Sequence, residues 1–149
     1  MSITFPTGTS DIIEEIINAD GRNVSFFIRE SVSGCIDCGV NPITNEPLDP
    51  FCTTCSGIYW IPSYREEIKT CHVTWKDADD MQWSTGGKYF VGDCKVKFIY
   101  TADNYIIADS SDYIVVDDKR MTINKITLLG VPTVNRILMH AEEEEKEHE

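Results

Sequence analysis

Four cysteines carry the chemistry this sequence is equipped for. Cys35, Cys38, Cys52 and Cys55 form C-x2-C-x13-C-x2-C within the stretch CIDCGVNPITNEPLDPFCTTCSG. Two residues between cysteines let one tight turn aim both sulfurs at a single ion. Two such turns facing each other complete a tetrahedral tetrathiolate with Zn–S bonds of about 2.3 Å. The gap between the pairs is slightly shorter than the usual ribbon separation of about 15 to 20 residues. Gly39 follows the first pair and Ser56-Gly57 the second, and small residues there let backbone amides turn back toward the thiolates. Four thiolates fill the coordination of zinc, whereas a catalytic zinc keeps a position open. The spacing therefore predicts a closed, structural Zn2+ site that orders its own loop. The competing uses of the motif find no support: disulfides suit an oxidising location, and a redox Cys-x-x-Cys stands at a helix start.

The remaining reactive side chains point to no active site. Cys71 is followed by His72, but neighbours on a strand face opposite ways and do not pair. Cys94 lies on an apolar strand face and reads as a buried thiol acting as a small hydrophobe. Asp79-Asp80 and Asp117-Asp118 sit in turn-like contexts. No Gly-rich phosphate loop and no Ser/His/Asp arrangement is visible. The expectation is a protein that is not an enzyme.

The elements that must position the cysteines are mostly strands. TSDIIEEIINADG reads as a short helix, with Ser10 as cap, Ile12, Ile13, Ile16 and Ile17 on one face, and Gly21 as a left-handed stop. That stripe fits packing on the chain's own core better than docking of a partner. NVSFFIRESV reads as a strand, and the cysteine loop interrupts the pattern. YWIPSYREEIKTCHVTW is a long strand with polar residues on both faces. KDADDMQWSTGG is a turn-rich loop, and KYFVGDCKVKFIY places Cys94, Val96, Phe98 and Tyr100 on one face. DNYIIADSSDYIVVDDKRMTINKITLLG reads as three short strands, and VNRILMHAE as a final strand or short helix. The fold expected is mainly β, a small antiparallel β-barrel with a short N-terminal helix and a zinc-ordered loop insertion. Residues 1–141 form one domain, with the helix at about 10–20 and the insertion at about 33–58.

Composition narrows the partners. The 149 residues carry a formal net charge of −12. Residues 142–149, EEEEKEHE, read as a disordered acidic tail. An acidic body argues against a nucleic-acid binder, which needs Lys and Arg to displace counterions. It is compatible with a wall that DNA slides past without sticking. No apolar run reaches the roughly 18 to 20 residues that cross a membrane. The N-terminal MSITFPTGTSDII lacks the pattern of a secretory signal, so a reducing compartment is expected.

Two stretches resemble the head–tail connector, or head-closure (stopper), proteins of tailed bacteriophages. From Gly92 to Met139 the chain is similar to that group's C-terminal half: a Gly-Asp opening a strand, a D-x-I-x-V-D segment (Asp112, Ile114, Val116, Asp117), then a short x-M-x-I-x-K-I strand. The cysteine stretch resembles an insertion found in some members. The resemblance implies a virion structural protein at the neck, forming a homo-oligomeric ring of about six or twelve copies. It implies a portal or adaptor above, tail proteins below, and genomic DNA passing through without sequence-specific contact. It supplies no catalytic residues. A tail terminator is the neighbouring reading within the same neck. A zinc-ribbon module that binds polypeptides, as a regulator or chaperone-like protein, is the rival from another class. Helix 10–20 and Tyr59, Trp60, Ile61 and Tyr64 are candidate interface anchors, aromatics being the strongest contributors to contact energy.

Overall fold

Alternation of apolar and polar residues along the strands settles the architecture. The computed structural model describes residues 8–75, 92–131 and 133–144. The order is α1 (Thr9–Asp20), β1 (Arg22–Gly34), β2 (Trp60–Trp75), β3 (Cys94–Ile99), α2 (Ala102–Ser110), β4 (Ser111–Val116), β5 (Lys119–Leu129) and β6 (Arg136–Glu143). The fold is mainly β. Its six strands are all antiparallel and hydrogen-bond in a closed ring, β1-β2-β3-β6-β5-β4, which returns to β1. Closure pairs both edges of the sheet and removes the unpaired rows that invite aggregation.

Every second residue points into the ring. Val24 and Phe26 of β1, Val96 and Phe98 of β3, Ile114 and Val116 of β4, and Ile137 and Met139 of β6 are buried together. Phe26 meets Phe98 across the interior with ring centroids 5.5 Å apart. Each such side chain contributes about 1.5–3 kcal/mol by leaving water. Of the D-x-I-x-V-D segment, Ile114 and Val116 are core. Asp112 and Asp117 face outward, where they pair with Arg29 and Arg22. The β4–β5 connection is a two-residue turn, and Asp117 and Asp118 both have positive φ, 49° and 63°. Such a turn matches the twist of the flanking strands, and Asp tolerates the left-handed region better than most residues.

Four local expectations are corrected. The first of the three short strands expected after Tyr100 is the helix α2. The hydroxyl of Thr101 accepts from the Asn104 amide at 3.1 Å, and Ala108 packs into the core with Tyr105 and Ile107 beside it. The Tyr-Ile-Ile run argues for a strand, but the cap and the need to cover apolar core decide for a helix. At α1 the cap position is Gly8, not Ser10, with no side-chain cap bond. Gly21 is not a left-handed stop: its φ is −78°. It is glycine because a Cβ would lie 2.0 Å from the Ile17 carbonyl oxygen and 2.7 Å from Thr70. The acidic tail begins later than Glu142. Glu142 and Glu143 belong to β6, and the Glu144 amide donates to the Arg120 carbonyl. Residues 145–149 lie outside the described residues, as do the loop 76–87, with Asp79-Asp80, and the Lys88–Val91 start of a strand. The last segment resolves as strand β6. Of the four α1 isoleucines only Ile17 is buried, while Ile12 and Ile16 are more than half exposed. No helix among the described residues is long and apolar enough to cross a membrane.

Candidate metal centre

The cysteine loop stands at the end of an arm. β1 pairs with β4 only as far as Ile28, yet its ladder with β2 continues from Arg29↔Tyr64 to Gly34↔Trp60. Beyond Ile28 the two strands form a ribbon of their own, with a bulge between Arg29 and Ser31. At about 3.3 Å per residue this ribbon extends roughly 15–20 Å past the ring. This explains the long strand with polar residues on both faces: in β2 only Cys71 and Val73 are buried. An outer aromatic group braces the root of the arm. Tyr64 of β2 meets Tyr113 of β4 edge-on at 5.3 Å, and Tyr113 stacks on Phe27 of β1 at 4.7 Å. Beside them Arg29 pairs with Asp112 at 2.7 Å.

Short turns fold the knuckle at the tip. Cys35 directly follows the ribbon, and its amide donates to the Tyr59 carbonyl at 2.8 Å, closing the end of the ladder. Asn41 organises the distal turn: its side-chain oxygen accepts from the Ile43 amide, and its own amide donates to Glu46. Asp49 does the same for the second pair, accepting from the Phe51 amide at 3.0 Å. After the second pair Ser56, Gly57 and Tyr59 take positive φ, 51°, 74° and 64°. Gly57 is fixed as glycine twice over, because a Cβ there would sit 2.3 Å from the Pro50 carbonyl oxygen. The third residues of the two Cys-x-x-Cys turns, Asp37 and Thr54, bond to each other across the site.

All four predicted ligands converge. The sulfurs of Cys35, Cys38, Cys52 and Cys55 lie within 4.8 Å of one another. Cys35 and Cys52 are 3.8 Å apart, and Cys38 and Cys55 3.4 Å. A tetrahedron with Zn–S bonds of about 2.3 Å has sulfurs about 3.8 Å apart. A disulfide needs about 2.05 Å, and all six cysteines are free. The donor set thus fits a tetrahedral, thiophilic ion such as Zn2+, and the cluster could hold one. Cys35, Cys52 and Cys55 are buried, Cys38 half-buried, in a small cluster separate from the main core.

The electrostatics of the thiols are unequal. Burial pushes Cys38 up, and hydrogen bonds with Cys55, Cys35 and Cys52 add to the rise. At Cys55 burial also pushes upward, but the Tyr59 amide and the three neighbouring thiols hold it at about 7. A divalent ion held by the four sulfurs would require them as thiolates, so its binding would release protons.

The other singled-out residues lie elsewhere. Cys71 and Cys94 are in the core, 0% and 1% exposed. Burial raises Cys71 to about 12 and Cys94 to about 11. His72 faces away from Cys71, toward α1, with Nε2 3.5 Å from Asp20. The YWIPSY segment divides: Tyr59 packs on the thiol cluster and Tyr64 on the arm root, whereas Trp60 and Ile61 remain exposed. Sequence reasoning missed the Asp37–Thr54 link and the backbone role of Tyr59. A polar residue at the third position of both turns is the one signal that pointed to the first. Compared with family models, with curated proteins and with solved structures, the chain matches none.

Proposed function

We propose that this chain is a structural subunit of the head–tail junction of a tailed bacteriophage. Its ring of strands is the small antiparallel barrel of that assembly, and its four-cysteine knuckle holds a structural Zn2+. The observation that carries the reading is the arm: a two-stranded extension whose tip is folded by four thiols and presents apolar residues outward. Ile36, Ile43 and Phe51 are each about nine-tenths exposed. Exposed anchors on a stiffened extension suit fixed contact with a neighbour. The resemblance of residues 92–139 and of the cysteine stretch supplies the setting. Copies assemble as a ring of about six or twelve, between portal or adaptor and tail, in the virion. The excess of acid lets genomic DNA pass without adhering.

The same apolar tip also suits a zinc-ribbon module that binds polypeptides, and one experiment separates the two. The zinc-loaded chain is sized by light scattering, alone and with the portal encoded in the same genome. Rings, or co-migration with portal, support the neck role. A monomer that ignores portal and captures an unrelated polypeptide through the knuckle supports the rival.

A further inference from the structure

Half of the described lysines and arginines are matched to acids. Arg22 pairs with Asp117, Arg29 with Asp112, Arg65 with Glu30 and Glu67, Lys119 with Glu143, and Arg120 with Glu144. Four others share one outward face. Lys95 and Lys97 of β3 and Arg136 of β6 alternate with the buried residues of their strands, and Lys125 of β5 pairs with the outward position His140. The register places Lys95 across from His140 and His140 across from Lys125, with Lys97 across from Leu138 in the next row. None of these four cations has a carboxylate within 4.0 Å among the described residues. In a chain of net charge −12, this is a local basic face with an aliphatic centre.

The knuckle has the opposite character. It carries Asp37, Glu46 and Asp49, and no Lys or Arg occurs between Arg29 and Arg65. Four thiolates around a divalent ion add two further negative charges. Its apolar tip, Ile36, Ile43 and Phe51, is covered by nothing among the described residues. The topology keeps the two surfaces apart: the arm leaves from β1 and the start of β2, β6 stands three strands from β1 in either direction, and β3 meets β2 only at its other end, from His72↔Lys97 to Trp75↔Cys94. A chain's own knuckle therefore does not reach its own basic face, while a neighbour's does.

We propose that the knuckle of one copy docks on the β3–β6–β5 face of the next copy, head to tail. The apolar tip lies on Leu138 and the lysine stems, and the knuckle carboxylates lie among Lys95, Lys97, Lys125 and Arg136. The contact deepens the ring-subunit reading and rests on it. It is heterologous, so it closes into a ring or continues as a filament. Its charge component weakens as salt rises.

The test uses the full zinc-loaded chain in light scattering, with two surface double variants. One alters the tip (Ile43→Asp with Phe51→Asp), the other the face (Lys95→Glu with Lys125→Glu). All four side chains lie outside the core, and unchanged metal content and circular dichroism verify folding. Wild type assembles; each variant alone has its assembly constant weakened at least ten-fold. A one-to-one mixture of the two stops at dimers, because only one productive contact remains per pair. Wild-type assembly unaffected by either variant overturns this contact and leaves the ring reading standing. A wild type that stays monomeric but joins portal through the knuckle overturns it too, since the occupant is then another protein. A monomer that also ignores portal removes the ring reading itself.

Discussion

Replacing Cys52 by serine tests the metal centre most directly. Cys52 is 7% exposed and its sulfur is 3.8 Å from that of Cys35. Structural zinc sites of this kind bind with about 10–16 kcal/mol of apparent free energy. Shared among four ligands, that is about 2.5–4 kcal/mol each, so the variant's zinc affinity falls about 10^2- to 10^3-fold. The structural effect is larger than the affinity suggests, because the knuckle has almost nothing else to hold it. Its side chains buried below a tenth are Cys35, Cys52 and Cys55, and its isoleucines, leucine and phenylalanine face water. Ordering each residue costs about 1–2 kcal/mol in backbone entropy, and its few turn hydrogen bonds contribute about 0.5–1.5 kcal/mol each. The ring, with its separate core, does not depend on the ion. The expected result is one zinc per chain in the wild type by elemental analysis and close to none in the variant. In amide exchange, residues 36–57 lose protection while Val24, Phe26, Val96 and Ile137 keep theirs. Wild-type protein purified without metal, or a variant whose ring unfolds together with the knuckle, would refute the reasoning.

Truncating Phe98 to Ala removes the partner of Phe26 from a site 1% exposed and costs about 3–5 kcal/mol, read by denaturant unfolding. Cys71 and Cys94 are raised to about 12 and about 11, so the folded state favours the neutral thiols. Their contribution is complete below the ordinary thiol range near pH 9 and is lost as pH rises from there toward 11–12. Unfolding midpoints at pH 8 and pH 10.5 should show that loss, and Cys71→Ala should reduce it. Asp118→Gly relieves a φ of 63° in the β4–β5 turn and is expected to stabilise by about 0.5–1 kcal/mol, read as a higher melting temperature.

The ligand set and the strands were legible in the sequence for one reason: both depend on short, local spacing. Two Cys-x-x-Cys pairs impose convergence whatever surrounds them, and Cys94, Val96 and Phe98 alternate cleanly because β3 has one face in the core. What the sequence concealed depends on partners far along the chain. α2 carries β-forming residues and is helical because Thr101 caps it and the core needs Ala108 beside it. Gly21 is extended, with φ −78°, and not a left-handed stop; glycine stands there for lack of space beside the Ile17 carbonyl oxygen and Thr70, a residue of another element. The arm was half visible: mixed polarity from Tyr64 to Thr70 indicated solvent on both sides, but only the pairing register shows that β1 and β2 outrun their other neighbours.

That register also determines what an ion held by the four sulfurs would do mechanically. Cys35 follows Gly34, and Tyr59 precedes Trp60, so the thiol cluster sits where a hairpin turn would otherwise close the ribbon. A two-stranded ribbon alone is marginal in water. Here it is fixed at the root by Tyr64, Tyr113, Phe27 and the Arg29–Asp112 pair, and at the tip by four sulfurs. Between these points lies only the bulge at Arg29/Ser31 and a few exposed pairs, including Ser31 bonded to Ser63. Releasing a bound ion is therefore expected to fray the arm from Gly34↔Trp60 inward and to stop at the aromatic root, because residues 24–28 of β1 pair with strands on both sides. A bound ion would thereby set how far the apolar tip stands from the ring, and the proposed contact with a second copy requires that distance to be fixed.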